Sequence, residues 1–117
     1  MTWNRGGNKY GAKKKEVDGI RFDSIKEADY YVQLKLRLAG GHIASFERQV
    51  PFVLQEKFSD QYGACREIKY VADFTVIHSD GSMEIVDVKG FETAIFKLKW
   101  KMLRKLVQEK EYLLSIV

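Results

Sequence analysis

The 117-residue chain has one cysteine, one proline and two histidines, and no apolar run close to the length of a membrane span. Each scarcity excludes something. A lone Cys65 cannot close an internal disulfide and has no CxxC companion, so neither a disulfide scaffold nor a cysteine zinc site is available, and a reducing compartment is expected. His42 and His78 read as loop or turn residues without an evident catalytic partner. A transmembrane helix needs about 20 apolar residues, and the opening MTWNRGGNKYG lacks the hydrophobic segment of a secretory signal. A cytoplasmic protein without membrane attachment is therefore expected. At this length there is room for one core and one domain. The composition, 45% hydrophobic and 31% charged, is that of an ordinary globular protein rather than a disordered one.

Charge is present but unevenly spread. Residues 1–15 carry Arg5, Lys9, Lys13, Lys14 and Lys15 without one acid; subtracting these five from the net +4 leaves about −1 for the remainder. A second acid-free cluster, Lys97, Lys99, Lys101, Arg104 and Lys105, lies near the C-terminus. Two positive zones framing a nearly neutral body fit a polyanionic partner, nucleic acid above all. The bland alternative is a solubilising tail and a solvated helix face.

Residues 1–16, rich in Gly, Asn and Lys, read as a basic flexible arm, and 17–117 as the single folded domain. GIRFDS leads into a helix whose start carries the S-x-x-E capping box, Ser24 and Glu27, and whose end is Gly40-Gly41. Its apolar rows, Ala28, Val32, Leu36 and Ala39 beside Tyr31, Leu34 and Leu38, predict burial along a broad face. FERQVPFVLQEKF follows as a strand, with Pro51 marking an edge or a strand start. IKYVADFTVIH and MEIVDVKG, joined by SDGS, form the most legible hairpin. A helix from about Glu92 to Gln108 and a terminal strand, YLLSIV, complete the order helix, three strands, helix, strand. The fold class is α/β (α+β), with a mixed sheet flanked by helices and the last strand beside the first three.

MEIVDVKG poses the functional question, because Asp87 and Lys89 lie in what otherwise reads as a buried strand. A three-residue turn at Ser79-Asp80-Gly81, with Gly81 left-handed, makes Asp73 oppose Asp87 directly, at a Cβ separation of about 4.5 to 5.5 Å, with Lys89 on the same face. A two-residue Asp80-Gly81 turn would instead place Asp73 on the opposite face. Two adjacent carboxylates repel unless a cation lies between them, and Asp73 and Asp87 supply the hard oxygens that suit Mg²⁺ or Mn²⁺. Such an ion with an adjacent ammonium, Lys89, is chemistry for phosphodiester hydrolysis. Taken singly, Asp73 reads as a strand-end residue, Asp87 with Lys89 as a surface ion pair, and Glu27 as a cap.

Asp73, thirteen residues, then Asp87-Val88-Lys89 resembles the D…(D/E)-x-K signature of the PD-(D/E)XK nuclease superfamily. More narrowly, NKYGAKK, FDSIKEA, ERQVPF, KYVADF and VDVKG look like a small phage-protein family grouped with Holliday junction resolvases. Ala72 stands at the proline position of the name motif, and Asp87 replaces the commoner Glu.

The resemblance implies a restriction-endonuclease-like core of order α-β-β-β-α-β. It also implies metal ligands Asp73, Asp87, the Val88 carbonyl and Glu27, catalytic roles for Glu27, Asp73, Asp87 and Lys89, and Gln49 lining the cleft. Lys9, Lys13, Lys14, Lys15, Lys97, Lys101, Arg104 and Lys105 are the expected DNA contacts. The implied activity is that of a Mg²⁺- or Mn²⁺-dependent endodeoxyribonuclease, a phage Holliday junction resolvase cutting four-way or otherwise branched DNA in the host cytoplasm as a homodimer. A nicking, repair or transposition-associated nuclease and a non-catalytic DNA-binding protein are the alternatives. On the second helix Ile95, Leu98, Met102 and Leu106 lie on one side of the basic stripe and Phe96, Trp100, Leu103 and Val107 on the other, so one row should cover the sheet and the other meet the first helix or a second subunit.

Overall fold

The computed structural model describes residues 14–117. The chain begins with a hairpin, β1 (Lys15–Val17) and β2 (Ile20–Phe22), closed by Asp18 and Gly19, both at positive φ (54° and 77°) as a two-residue type I′ turn requires. Helix α1 (Ile25–Ala39) follows, started by Ser24, whose Oγ accepts the Glu27 N–H at 3.1 Å, and ended at Gly40 with Gly41 left-handed beyond it. The long β3 (Ile43–Gln55) leads through a small hairpin, β4 (Phe58–Asp60) and β5 (Gly63–Cys65), into β6 (Ile68–His78). Strand β7 (Met83–Asp87), helix α2 (Ala94–Leu106), a 3₁₀ turn over Gln108–Lys110 and β8 (Leu113–Ile116) complete the chain.

The main sheet has the order β3-β6-β7-β8, antiparallel except for the parallel pair β7–β8. It is an α+β fold with a mixed sheet, and its helices and main strands follow the expected order. The expected place of the last strand beside the sheet is also observed. Pro51 lies on edge strand β3, where the ladder does not need its missing N–H. Among the described residues no helix is long and apolar enough to cross a membrane.

Three readings need correction. Lys15 and Glu16 do not belong to an arm: they pair with Phe22 and Arg21 in the first hairpin, and Lys15 Nζ lies 3.1 Å from Asp29 of α1. Helix α1 buries a narrow stripe, Glu27, Ala28, Tyr31 and Leu34, while Val32, Leu36 and Leu38 stay exposed, because among the described residues the sheet and first hairpin cover one side of it. Helix α2 buries Phe96 and Leu103, with Val107 at its C-cap, and it does not meet α1, since the two helices lie on opposite faces of the sheet.

The faces carry an irregularity that positions the site. In the half of the sheet under α1, Phe46 of β3 and Phe74 and Val76 of β6 face the α1 core; in the half under α2, Phe52, Leu54, Tyr70 and Ala72 face the α2 core. All seven have even numbers, so alternation is interrupted on both strands, between Arg48 and Val50 on β3 and between Phe74 and Ala72 on β6. The register is continuous across the break, which makes Gln49 and Asp73 the opposed pair at the point of reversal. Gln49 has φ 53°, a left-handed backbone inside a strand.

Candidate active site

The hairpin β6–β7 has the register that brings the acids together. Phe74 pairs with Val86, Thr75 with Ile85, Val76 with Glu84 and Ile77 with Met83, and the turn closes with Gly81 at φ 90° and bonds His78 N–H to Ser82 O (2.8 Å) and Gly81 N–H to His78 O (2.9 Å). One step beyond the last ladder pair, Asp73 and Asp87 stand opposed, and each lies within the electrostatic reach of the other. Asp73 Oδ2 accepts the Val88 N–H at 2.8 Å. Beyond Asp87 the backbone stays tied to the chain's end, with Val117 N–H donating to Asp87 O (2.9 Å) and Lys89 N–H to Val117 O (3.0 Å).

Asp87 is only 1% exposed. Its Oδ2 accepts from the Tyr70 hydroxyl at 2.6 Å and lies 3.5 Å from Lys89 Nζ, whereas its Oδ1 is buried with no hydrogen-bond partner among the described residues. A buried acceptor left unpaired costs about 1–3 kcal/mol. Burial and the adjoining Asp87 push the Asp73 carboxyl up to about 8, with the Val88 N–H opposing, so Asp73 retains its proton far above the usual carboxylate range. Burial and the same Asp87 carboxylate raise the Tyr70 phenol, which therefore remains a donor. Lys89 Nζ also lies 4.6 Å from the centre of the Phe96 ring, which fixes its stem against α2.

Glu27 stands on the first turn of α1 with its side chain buried, not turned outward as a simple cap. Burial raises its carboxyl, then the Asp23 charge does so; Arg48 acts in the opposite direction, and Asp87 and Lys89 are within electrostatic range. It does not complete a three-acid cage: among the described residues no group of three or more His, Cys, Asp or Glu is arranged to hold a metal ion. The two carboxylates and the buried Oδ1 without a partner among the described residues are of the hard-oxygen type that a divalent cation takes, and Asp73 and Asp87 are the residues that would hold one.

Gln49 is exposed and opposes Asp73 across β3 and β6. Lys97, Lys101, Arg104 and Lys105 are exposed on α2, and Lys14 is exposed ahead of β1; Lys9 and Lys13 lie outside the described residues. Lys15 is occupied by Asp29.

Three residues near the site escape the sequence pattern. Tyr70 is separated from Asp73 by an odd number of positions, so regular alternation places them on opposite faces; the reversal at Asp73 brings the phenol to Asp87. Arg48 lies over the Phe22 ring at 4.7 Å with Nε buried and unpaired, a cation beside Glu27 that strand periodicity cannot distinguish from a surface residue. Lys26 Nζ donates to the Lys89 carbonyl at 3.1 Å, tying α1 to the site strand.

No curated protein and no solved structure matches the chain. The profile of one family, described as protein of unknown function (DUF1064), matches residues 7–115, and the chain belongs to that family.

Proposed function

We propose that the protein is a Mg²⁺- or Mn²⁺-dependent endodeoxyribonuclease with a restriction-endonuclease-like core, and more narrowly a phage Holliday junction resolvase acting on branched DNA in the host cytoplasm. The observation that carries this reading is the pairing of half-buried Asp73 with buried Asp87, opposed across β6 and β7 with Lys89 3.5 Å from Asp87. A protonated Asp73 beside an Asp87 oxygen without a partner among the described residues is poorly explained as a stabilising feature, and a hard cation between the two carboxylates would relieve both costs.

When bound by Asp73, Asp87 and the Val88 carbonyl, the ion would supply Lewis acidity at a phosphoryl oxygen. The chain's own groups account for the rest. Water attacks phosphorus and the P–O bond to the leaving strand breaks, giving a phosphate and a hydroxyl end. The Lys89 ammonium orients the attacking water and offsets the negative charge that grows on the phosphorane. Glu27, buried with a raised carboxyl, is suited to hold a water or its proton at the edge of the site. Exposed Lys97, Lys101, Arg104 and Lys105 on α2 can follow the phosphate backbone without reading bases. Shape recognition of this kind fits a junction, and paired cuts in two strands imply a homodimer.

The test incubates purified protein with a labelled four-way junction, a matched duplex and single-stranded DNA, in Mg²⁺ or in EDTA. Junction cutting that needs Mg²⁺ is expected. Equal cutting of junction and duplex would move the assignment to a nicking, repair or transposition-associated nuclease; no cutting under any metal would leave a non-catalytic DNA-binding protein. Asp87→Asn should bind the junction with an affinity within about threefold of wild type and lose at least about 10²-fold in cleavage rate.

A further inference from the structure

The geometry points to Tyr70 as the positioning residue of the site: its hydroxyl anchors one oxygen of Asp87 so that the other is presented to a divalent cation. This rests on the reading of Asp73 and Asp87 as the metal-holding pair, and it names the group that prepares that pair.

A carboxylate on a short side chain can rotate about its Cβ–Cγ bond and exchange its two oxygens. Asp87 is prevented from doing so by an uneven set of partners. Oδ2 receives the Tyr70 O–H at 2.6 Å and faces Lys89 Nζ at 3.5 Å; Oδ1 is buried and receives no hydrogen bond from any described residue. The Tyr70 ring is itself fixed by α2, with the Trp100 ring edge-on at 5.9 Å and the Phe96 ring at 6.3 Å. The hydroxyl thus reaches the carboxylate from a packed apolar wall, and its position is set by that packing and not by solvent.

Tyrosine is well suited to this task. It is a neutral donor, so it loads one oxygen without cancelling the charge that attracts the cation, as a second lysine would. Groups that hydrogen-bond to a metal-ligating carboxylate typically change metal affinity about 10–100-fold when removed. Phenylalanine keeps the ring contacts with Phe96 and Trp100 and deletes only the O–H.

Isothermal titration calorimetry with Mn²⁺, in the absence of DNA, tests the assignment on wild type, Tyr70→Phe, Asp87→Asn and the double variant, with thermal unfolding of each to establish that it is folded. Y70F is expected to weaken Mn²⁺ binding by at least about tenfold. In the D87N background the same change should alter Mn²⁺ binding less than about twofold, because the phenol acts through Asp87. In junction cleavage, Y70F should raise the Mn²⁺ concentration for half-maximal rate by a similar factor, with much of the rate returning at saturating Mn²⁺. Wild-type Mn²⁺ affinity in folded Y70F, alongside weakened binding in D87N, would overturn the role of Tyr70 and leave the metal site standing. Equal losses from Y70F in both backgrounds would show a general packing effect and also overturn it. A wild-type protein that binds no Mn²⁺ would remove the metal site and this inference together.

Discussion

Two acids held side by side in a site of low polarity stay partly protonated, and at the scale of single residues this makes a prediction that needs no substrate. The ordinary pKa of the Asp73 carboxyl is 3.8, and in the fold burial and Asp87 raise it to about 8. Between those two values the folded, metal-free protein retains a proton that the unfolded chain has released. Stability must therefore fall as pH rises across that interval. Asparagine at position 73 keeps an oxygen for the Val88 N–H and carries no charge. Metal-free Asp73→Asn should accordingly melt above wild type once the pH exceeds about 8, by roughly 3–8 °C for a gain of about 1 kcal/mol. The difference should shrink towards pH 4. Added Mg²⁺ should raise the melting point of wild type more than that of D73N, since only wild type offers both carboxylates. Scanning calorimetry across the pH range is the measurement, and parallel curves for the two proteins would show that the acids do not repel.

At the scale of elements, the reversal of faces at Gln49 and Asp73 decides what the sheet can do. It allows even-numbered residues of β3 and β6 to serve the α1 core at one end and the α2 core at the other, and it leaves the acid at the crossing point where neither helix covers it fully. The left-handed backbone of Gln49, φ 53°, is part of this device. A β-branched side chain is poorly tolerated there, so Gln49→Val should cost about 1–3 kcal/mol, whereas Gln49→Gly should stay within about 1 kcal/mol of wild type. Denaturant titration of both variants separates a backbone requirement from a side-chain one; equal losses would point to the amide.

The same reversal marks the limit of what the sequence discloses. The acids were legible because a three-residue Ser79-Asp80-Gly81 turn, the alternative to a two-residue Asp80-Gly81 one, sets a register in which they meet, and that is the turn observed. Tyr70 was not, because period-two reasoning assumes an unbroken pleat. The first hairpin had its own signal in Asp18-Gly19, a turn pair between short β-prone segments, which the surrounding lysines and glycines obscured. The hairpin of β4 and β5 had little signal at all: its residues are exposed on both faces and show no apolar alternation.

At the scale of the molecule, two helices on opposite faces each leave an apolar row facing outward. Ile95, Leu98 and Leu106 of α2 are 63%, 54% and 44% exposed, and they recur at the spacing of one helical face beside the basic stripe. The opposite row of α2 is committed to the sheet through Phe96, Leu103 and Val107. An exposed row of this kind is the seam that the proposed homodimer would use, with a two-fold axis repeating the row against itself. Leu98→Glu places like charges across such a seam near its centre and touches neither the core nor Asp73, Asp87 or Lys89. Light scattering should find wild type as a dimer and L98E as a monomer, with little change in the unfolding of the isolated chain. Junction cleavage then discriminates further: a monomer that keeps its site should nick single strands and lose the simultaneous paired cut. A wild type that remains monomeric at every concentration, on DNA as well as free, would require each junction to be resolved by two independent encounters, and the dimer would have to be abandoned.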